Sequence, residues 1–320
     1  MKSIAKPFMK WAGGKGQLLS QLDEFLPENL CRQAFTYIEP FVGGGAMLFY
    51  MMQKYPNIRR VVINDVNPHL VTAYRVIKDN PKELIERLSM LEKDYYVLTN
   101  EEERKAFFLE KRKTFNEDIL DDIDRTKLLI FLNKTCFNGL YRVNSKGAFN
   151  VPFGKYAHPT ICNADTILAD SELLNSRDVI ILNGDFEKTI DYLDENGANF
   201  IYFDPPYRPL SATSSFTSYA KEDFNDEEQI RLRNFCLRLN DRSGVRWMQS
   251  NADCSAKNPE DRFFEENYRN FYISRVYASR SINANPTKRG KLTELLISNY
   301  RPEGYIDIAA EDFEPYNRAI

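Results

Sequence analysis

The chain predicts an α/β fold with a mostly parallel sheet, and three features carry that expectation. Short β-rich runs alternate with helical patterns along the sequence. Several of those runs are continuously apolar, as strands covered on both faces are. A glycine cluster also stands directly between one such run and a helical pattern. The 320 residues suffice for one large domain, or for a catalytic domain holding a smaller inserted one. A hydrophobic fraction of 43% and an aromatic fraction of 13% supply a core and exclude wholesale disorder.

Taken in order, Leu18, Leu19, Leu22, Phe25 and Leu26 recur at helical spacing between Gly16 and Leu26. A strand is expected over Thr36–Glu39, a helix over Gly45–Tyr55 opening from the glycines, and a second strand over Val61–Asp65. The character then changes from about Pro68 to Ala164. Pro81–Tyr95, Glu102–Asn116 and Asp124–Cys136 read as charged amphipathic helices, followed by the polar loop FNGLYRVNSKGAFNVPFGKY. With no strong strand candidate in it, this stretch reads as a helical insertion. Five further strands are expected at Val179–Leu182, Phe200–Phe203, Val245–Gln249, Phe271–Tyr277 and Glu294–Asn299. The division is therefore 1–69, an insert over 70–165, and 166–320, with no internal repeat.

No run of about 18 apolar residues occurs, which excludes an ordinary transmembrane helix and predicts no membrane partner. The opening residues lack the apolar stretch of a signal peptide, so a cytoplasmic protein is expected. Five scattered cysteines without a CxxC pair argue against disulfides and a zinc site. Net charge is only −3, but its distribution is uneven. Arg125 to Ala164 contains no acid while Arg125, Lys127, Lys134, Arg142, Lys146 and Lys155 are present. Asn267 to Thr293 is likewise acid-free and carries Arg269, Arg275, Arg280, Lys288, Arg289 and Lys291. These stretches fit a phosphate-tracking surface, and equally two solvated faces compensated by acids elsewhere.

Three motifs carry chemistry. In Phe41-Val42-Gly43-Gly44-Gly45, after Glu39-Pro40, glycines let the backbone approach a ligand closely; a structural turn is the competing reading. About twenty residues on, Asp65 closes the second strand, where a carboxylate accepts from ribose hydroxyls; its other reading is a helix cap before Pro68. Asp204-Pro205-Pro206-Tyr207 follows the strand Phe200–Phe203 at the carboxyl end, where open α/β sheets bind ligands. An adenine amino group is a poor nucleophile because its lone pair is delocalised into the ring. The Asp204 carboxylate and Pro205 carbonyl can accept its hydrogen bonds and favour the charge that develops as it attacks a sulfonium methyl. The prolines, Pro205 and Pro206, fix the backbone so that the acceptors converge, and Tyr207 offers a face to a base pulled from the stack. With His69 and His158 the only histidines, neither hydrolysis nor metal chemistry has a residue set, and no metal is expected.

Together these residues resemble the Dam-type DNA adenine methyltransferases, which methylate adenine in GATC. The resemblance runs through the whole chain and is dense in six places. Phe8-Met9-Lys10-Trp11-Ala12-Gly13-Gly14-Lys15 is similar to the family's opening segment, which implies that Lys10 reaches a guanine and that Trp11 and Lys15 line the cofactor pocket. Phe41, Gly43 and Gly45 match the methionine-side motif for S-adenosyl-L-methionine, and Asp65 the ribose acid. In Asn183-Gly184-Asp185-Phe186 the likeness implies that Asp185 accepts from the cofactor's adenine and Phe186 packs on its ring. Asp204 to Tyr207 matches the catalytic tetrapeptide, with Asp204 also bordering the cofactor, and Arg208 to Thr213 continues the match.

The sixth place, Phe137 to Arg142 with Phe149 to Gly154, resembles the GATC-reading hairpin loop. It implies that Phe137 intercalates, Asn138 fills the space left by the flipped adenine, and Leu140, Arg142 and Pro152 contact the outer bases; arginine's fork suits guanine. Phe137 departs from the tyrosine common in relatives, which keeps the wedge and drops a phenolic hydrogen bond. The resemblance implies a seven-stranded Rossmann-like fold of the class I S-adenosylmethionine-dependent methyltransferases, with an inserted recognition domain. It implies in-line transfer to N6 of adenine in double-stranded DNA, a monomer, and a prokaryotic or phage setting. An amino-methyltransferase acting on RNA or protein glutamine, and a DNA-binding sensor without catalysis, are the alternatives. Asp before Pro-Pro and the intact tetrapeptide argue against them.

Overall fold

Residues 4–210, 224–278 and 292–303 are described by a computed structural model. Seven strands form one sheet: β1 (Phe35–Glu39), β2 (Ile58–Asp65), β3 (Asp178–Asn183), β4 (Ala198–Phe203), β5 (Val245–Ala252), β6 (Tyr272–Ala278) and β7 (Leu292–Ser298). Each contains or closely overlaps a run expected from the sequence. The order is β3-β2-β1-β4-β5-β7-β6. Strands β1 to β5 pair in parallel, and β7 runs antiparallel to both β5 and β6. From β1 the chain builds outward through β2 and β3, then returns to β4 on the other flank. The loops after β1 and β4 therefore diverge, leaving the crevice at which open sheets take ligands.

The strands are buried on both faces because their side chains alternate between two cores. Tyr37, Val61, Ile63, Phe200 and Tyr202 enter one. Ile38, Val62, Ile201, Phe203 and Trp247 enter the other. The first face is covered by α1 (Leu19–Glu24), α2 (Ala46–Lys54) and α3 (Pro68–Asp79). Next come α4 (Pro81–Tyr96), α5 (Glu101–Glu117), α6 (Asp122–Thr135) and α7 (Ala164–Asn175). The second face is covered by α8 (Asp226–Asn240) through Leu232, Phe235 and Leu239.

Local sequence sets the helix starts. Asn67 accepts from the His69 and Leu70 N–H groups with Pro68 in the first turn, and Asn100 accepts from Glu103 N while Glu103 accepts from Thr99 N. The helix expected from Gly16 begins instead as a 3-10 turn over Lys15–Gln17 and turns α-helical at Leu19. Helices α4 to α6 share the core of the sheet: Leu84, Leu88, Phe108, Leu129 and Phe131 are buried in the same cluster as Tyr37 and Val61. Residue 70, where the sequence places the start of the insert, lies within α3. Among the described residues no helix is long and apolar enough to cross a membrane.

Leu88 is fully buried on α4. Leu88→Ala should cost about 2–5 kcal/mol, read by urea denaturation, in one transition seen alike by far-UV circular dichroism and tryptophan fluorescence. An early, separate loss of helix would show that the inserted helices unfold alone.

Candidate active site

The carboxyl ends of β1 to β4 bring the expected ligand residues to one edge. Gly43 and Gly45 take positive φ values of 48° and 75°, which side chains resist. A Cβ on Gly43 or on Gly44 would stand 2.9 Å from Trp11, and one on Gly45 would meet the Tyr74 hydroxyl. Trp11 and Tyr74 thus pack directly against the three glycines and leave no room for side chains on that side. Trp11 itself stacks on Tyr141, centroids 5.4 Å apart, and so joins the N-terminal segment to the loop after α6.

Asp65 does not cap the following helix; Asn67 does. The Asp65 carboxylate instead accepts from Gly43 N at 3.0 Å and Asn67 N at 2.9 Å, tying β2 to the glycine loop. Burial pushes its pKa up to about 6, against the pull of those backbone donors. Asn64, which the sequence reading passed over, donates to the carbonyls of Pro40 and Gly184, both at 2.9 Å, and so binds the loops after β1 and β3 together. On the far side Phe186 packs against Phe41 at 5.2 Å. Asp185 is held by Arg231, whose guanidinium lies 4.3 Å over the Phe186 ring.

Asp204 follows β4 directly. Its carboxylate meets the Lys15 ammonium at 2.8 Å, and that ammonium also donates to Gly13 O at 2.6 Å and sits 4.6 Å from the Tyr207 ring centroid. Lys15 is 4% exposed, an unusual depth for an ammonium, and the carboxylate is what makes it tolerable. Burial pushes the Asp204 pKa up to about 6 although Lys15 opposes the rise; Glu294 adds to it. Glu39, buried at the end of β1, accepts from the Tyr37 hydroxyl at 2.9 Å and is raised well above the carboxylate range by desolvation.

Two buried amides hold the tetrapeptide. Gln229 donates to Pro206 O at 2.9 Å, Asn251 accepts from Arg208 N at 3.2 Å, and Asn251 donates to Gln229 at 3.0 Å. Arg208 is anchored by Asp226 and Asp261 and lies over Phe263. Neither amide carries a local sequence signal, since α8 and β5 are far along the chain. Ser211 to Thr213 lie outside the described residues.

The loop after α6 folds back as an antiparallel pair, bridged at Cys136–Phe153 and Val143–Phe149, with Phe137 N donating to Pro152 O at 2.8 Å. Where the loop leaves α6, Phe137 is 52% exposed and Asn138 adopts φ 57°, with the exposed Pro152 opposite them. Leu140 packs partly into the core. Asn133 on α6 accepts from Lys10 N and donates to the carbonyls of Lys10 and Gly139, so the Lys10 backbone is fixed beside Gly139. Arg142 donates through Nε to Asn150 at 2.8 Å.

Of the basic stretches, Lys127, Lys155 and Arg275 pair with Asp124, Glu101 and Asp253, so for these three the compensated-face reading holds. Arg280, Lys288, Arg289 and Lys291 lie outside the described residues.

A sheet of this order with one reversed strand, a glycine cradle after β1, an acid ending β2 and a carboxylate-proline turn after β4 define a Rossmann-like methyltransferase. The chain belongs to the D12 class N6 adenine-specific DNA methyltransferases, the family matched over residues 11–282. It is 48% identical over 299 residues to the type II methyltransferase M.MjaIII of Methanocaldococcus jannaschii, covering 92% of this chain and 99% of that one. It is 39% identical to the type II methyltransferase M1.LlaDCHI of Lactococcus lactis subsp. cremoris, over 92% and 95% of the two chains. The DNA adenine methylase of Escherichia coli K12 is 30% identical, with 93% and 96% covered. The protein is therefore a DNA adenine N6-methyltransferase.

The pH dependence of kcat/KM should follow Asp204. Above a pKa of about 6 the group is an ionised acceptor, and below it the acid form predominates, so activity should fall as pH drops through about 6. Lys15 stabilises the ionised form, so Lys15→Met should move the acid limb to higher pH. A limb unmoved in that variant would mean that another group controls it.

Proposed function

We propose that the enzyme uses S-adenosyl-L-methionine to methylate N6 of adenine within GATC in double-stranded DNA, on a base rotated out of the helix. The observation that carries this reading is the environment of the Lys15 ammonium. One positively charged nitrogen is met by the Asp204 carboxylate at 2.8 Å and by the face of Tyr207 at 4.6 Å. An adenine amino nitrogen that acquires positive charge during transfer would be favoured by the same carboxylate and the same ring face.

The residues present fit the cofactor. The Gly43–Gly45 cradle, Phe41, Trp11 and Lys15 would border its methionine end, Asp65 its ribose, and Asp185 with Phe186 its adenine. When bound, S-adenosyl-L-methionine supplies an electrophilic methyl for direct in-line transfer. Asp204 and the Pro205 carbonyl accept the two amino hydrogens of the base, Pro206 keeps the turn rigid, and Tyr207 stacks on the ring.

Recognition falls to residues 70–165, with 1–69 and 166–320 forming the catalytic part. The exposed Phe137 ring suits a wedge between base pairs, and Asn138 beside it suits the vacated space. Lys10 and Arg142, each held by an asparagine, suit guanine contacts, and Leu140 and Pro152 complete the surface toward the outer bases. The chain acts as a monomer in the cytoplasm of a prokaryotic or phage-infected cell. Its higher identity to two type II methyltransferases than to the Escherichia coli methylase supports the protective role of a restriction–modification pair.

Labelled methyl should enter a duplex with a single GATC and not one already methylated on both strands; label in neither sinks the target assignment. Asp204→Ala should abolish most turnover while cofactor binding, measured by calorimetry, persists. Full activity would remove Asp204 from the chemistry. Arg142→Ala should relax discrimination at one base pair by roughly 1–3 kcal/mol, whereas equal loss on all sequences would make it a phosphate contact.

A further inference from the structure

β7, the one reversed strand, carries a carboxylate that the sheet does not need. Glu294 lies opposite Ala252 of β5 and Val276 of β6. It is partly buried and accepts a hydrogen bond from the Tyr207 hydroxyl at 2.7 Å. Tyr207 is thus met at its phenol end by an anion and on its ring face by the Lys15 cation at 4.6 Å.

Two consequences follow from that arrangement. The backbone on either side of the ring is pinned by Gln229 on Pro206 O and Asn251 on Arg208 N. Those bonds leave the side-chain torsions free, and the bond to Glu294 fixes where the phenol oxygen lies and hence the direction of the ring's long axis. A phenol donating to an ionised acceptor also forms a stronger bond than one donating to a neutral oxygen. The electron density it gains makes the ring face more attractive to positive charge.

We propose that Glu294 is a positioning residue for methyl transfer: through the Tyr207 hydroxyl it fixes the direction of the ring on which the flipped adenine stacks and enriches that face toward the charge growing on the amino nitrogen. This rests on the reading of Tyr207 as the base-stacking face. Glu294 itself does not touch the base. Its repulsion of the Asp204 carboxylate acts in the opposite direction, since it disfavours the ionised acceptor. That effect does not pass through the Tyr207 hydroxyl, so the two are separable.

The test is a double-mutant cycle on the full chain with S-adenosyl-L-methionine and a GATC duplex, read as the single-turnover rate. Glu294→Gln keeps the shape and an acceptor oxygen but removes the charge. It should slow transfer about five- to tenfold, the difference between a charged and a neutral hydrogen bond, with the KM for DNA little changed. In a Tyr207→Phe background the same substitution should change the rate by less than about twofold. A duplex with 2-aminopurine at the target, whose fluorescence is quenched by stacking, should be brighter with Glu294→Gln than with the wild type. Glu294→Asp, which keeps the charge but shortens the reach, runs the same cycle should the glutamine variant not fold.

An equal loss in both backgrounds, or none in the wild-type background, would overturn the proposal. A wild-type enzyme that labels no duplex would instead sink the reading beneath it.

Discussion

Because β1 pairs in parallel with β2 on one side and β4 on the other, the loops that follow these strands must all emerge at one edge. Parallel pairing allows no other arrangement, since each strand is re-entered only after a crossover on a face. The glycine cradle, Asp65, Asp185 and the Asp204 turn are separated by up to 161 positions, from Gly43 to Asp204, yet share that edge. Asn64 then fixes the spacing of two of the loops by donating to both, and Asn251 and Gln229 do the same for the tetrapeptide. Three buried amides thus translate sheet geometry into loop geometry, each through at least one bond to a backbone group.

The same edge concentrates acids. Glu39, Asp65 and Asp204 are all raised by desolvation, and Asp204 is pushed further by Glu294. A cluster of this kind costs stability unless a cation or hydrogen-bond donors compensate it. The protein does both: backbone N–H groups serve Asp65, Tyr37 serves Glu39, and the buried ammonium of Lys15 serves Asp204. What is costly for folding is useful for a reaction in which a neutral nitrogen becomes positive.

Much of this was legible in the chain. β-rich runs, several of them continuously apolar, located the seven strands, and the strand-glycine-helix and strand-Asp-Pro-Pro patterns located the loops after β1 and β4. What stayed hidden depends on distance in sequence. Asn64 reads as one more strand residue, and Asn251, Gln229 and Glu294 sit in stretches with no motif, because their importance lies in what they meet across the sheet. The acid-free basic stretches left two readings open for the same reason: Lys155 finds Glu101, and Arg275 finds Asp253, only after folding. Arg231 on Asp185 is another such pairing, since nothing near either residue announces the other.

The inserted helices share one core with the sheet. In many multi-part enzymes the reader and the reactor are modules joined by a linker, and one can be exchanged for another. Here the loop after α6 grows from the same packed interior that supports one face of the sheet, through Tyr141, Phe149 and Val151. A graft of a foreign recognition loop would have to match buried volumes as well as base edges.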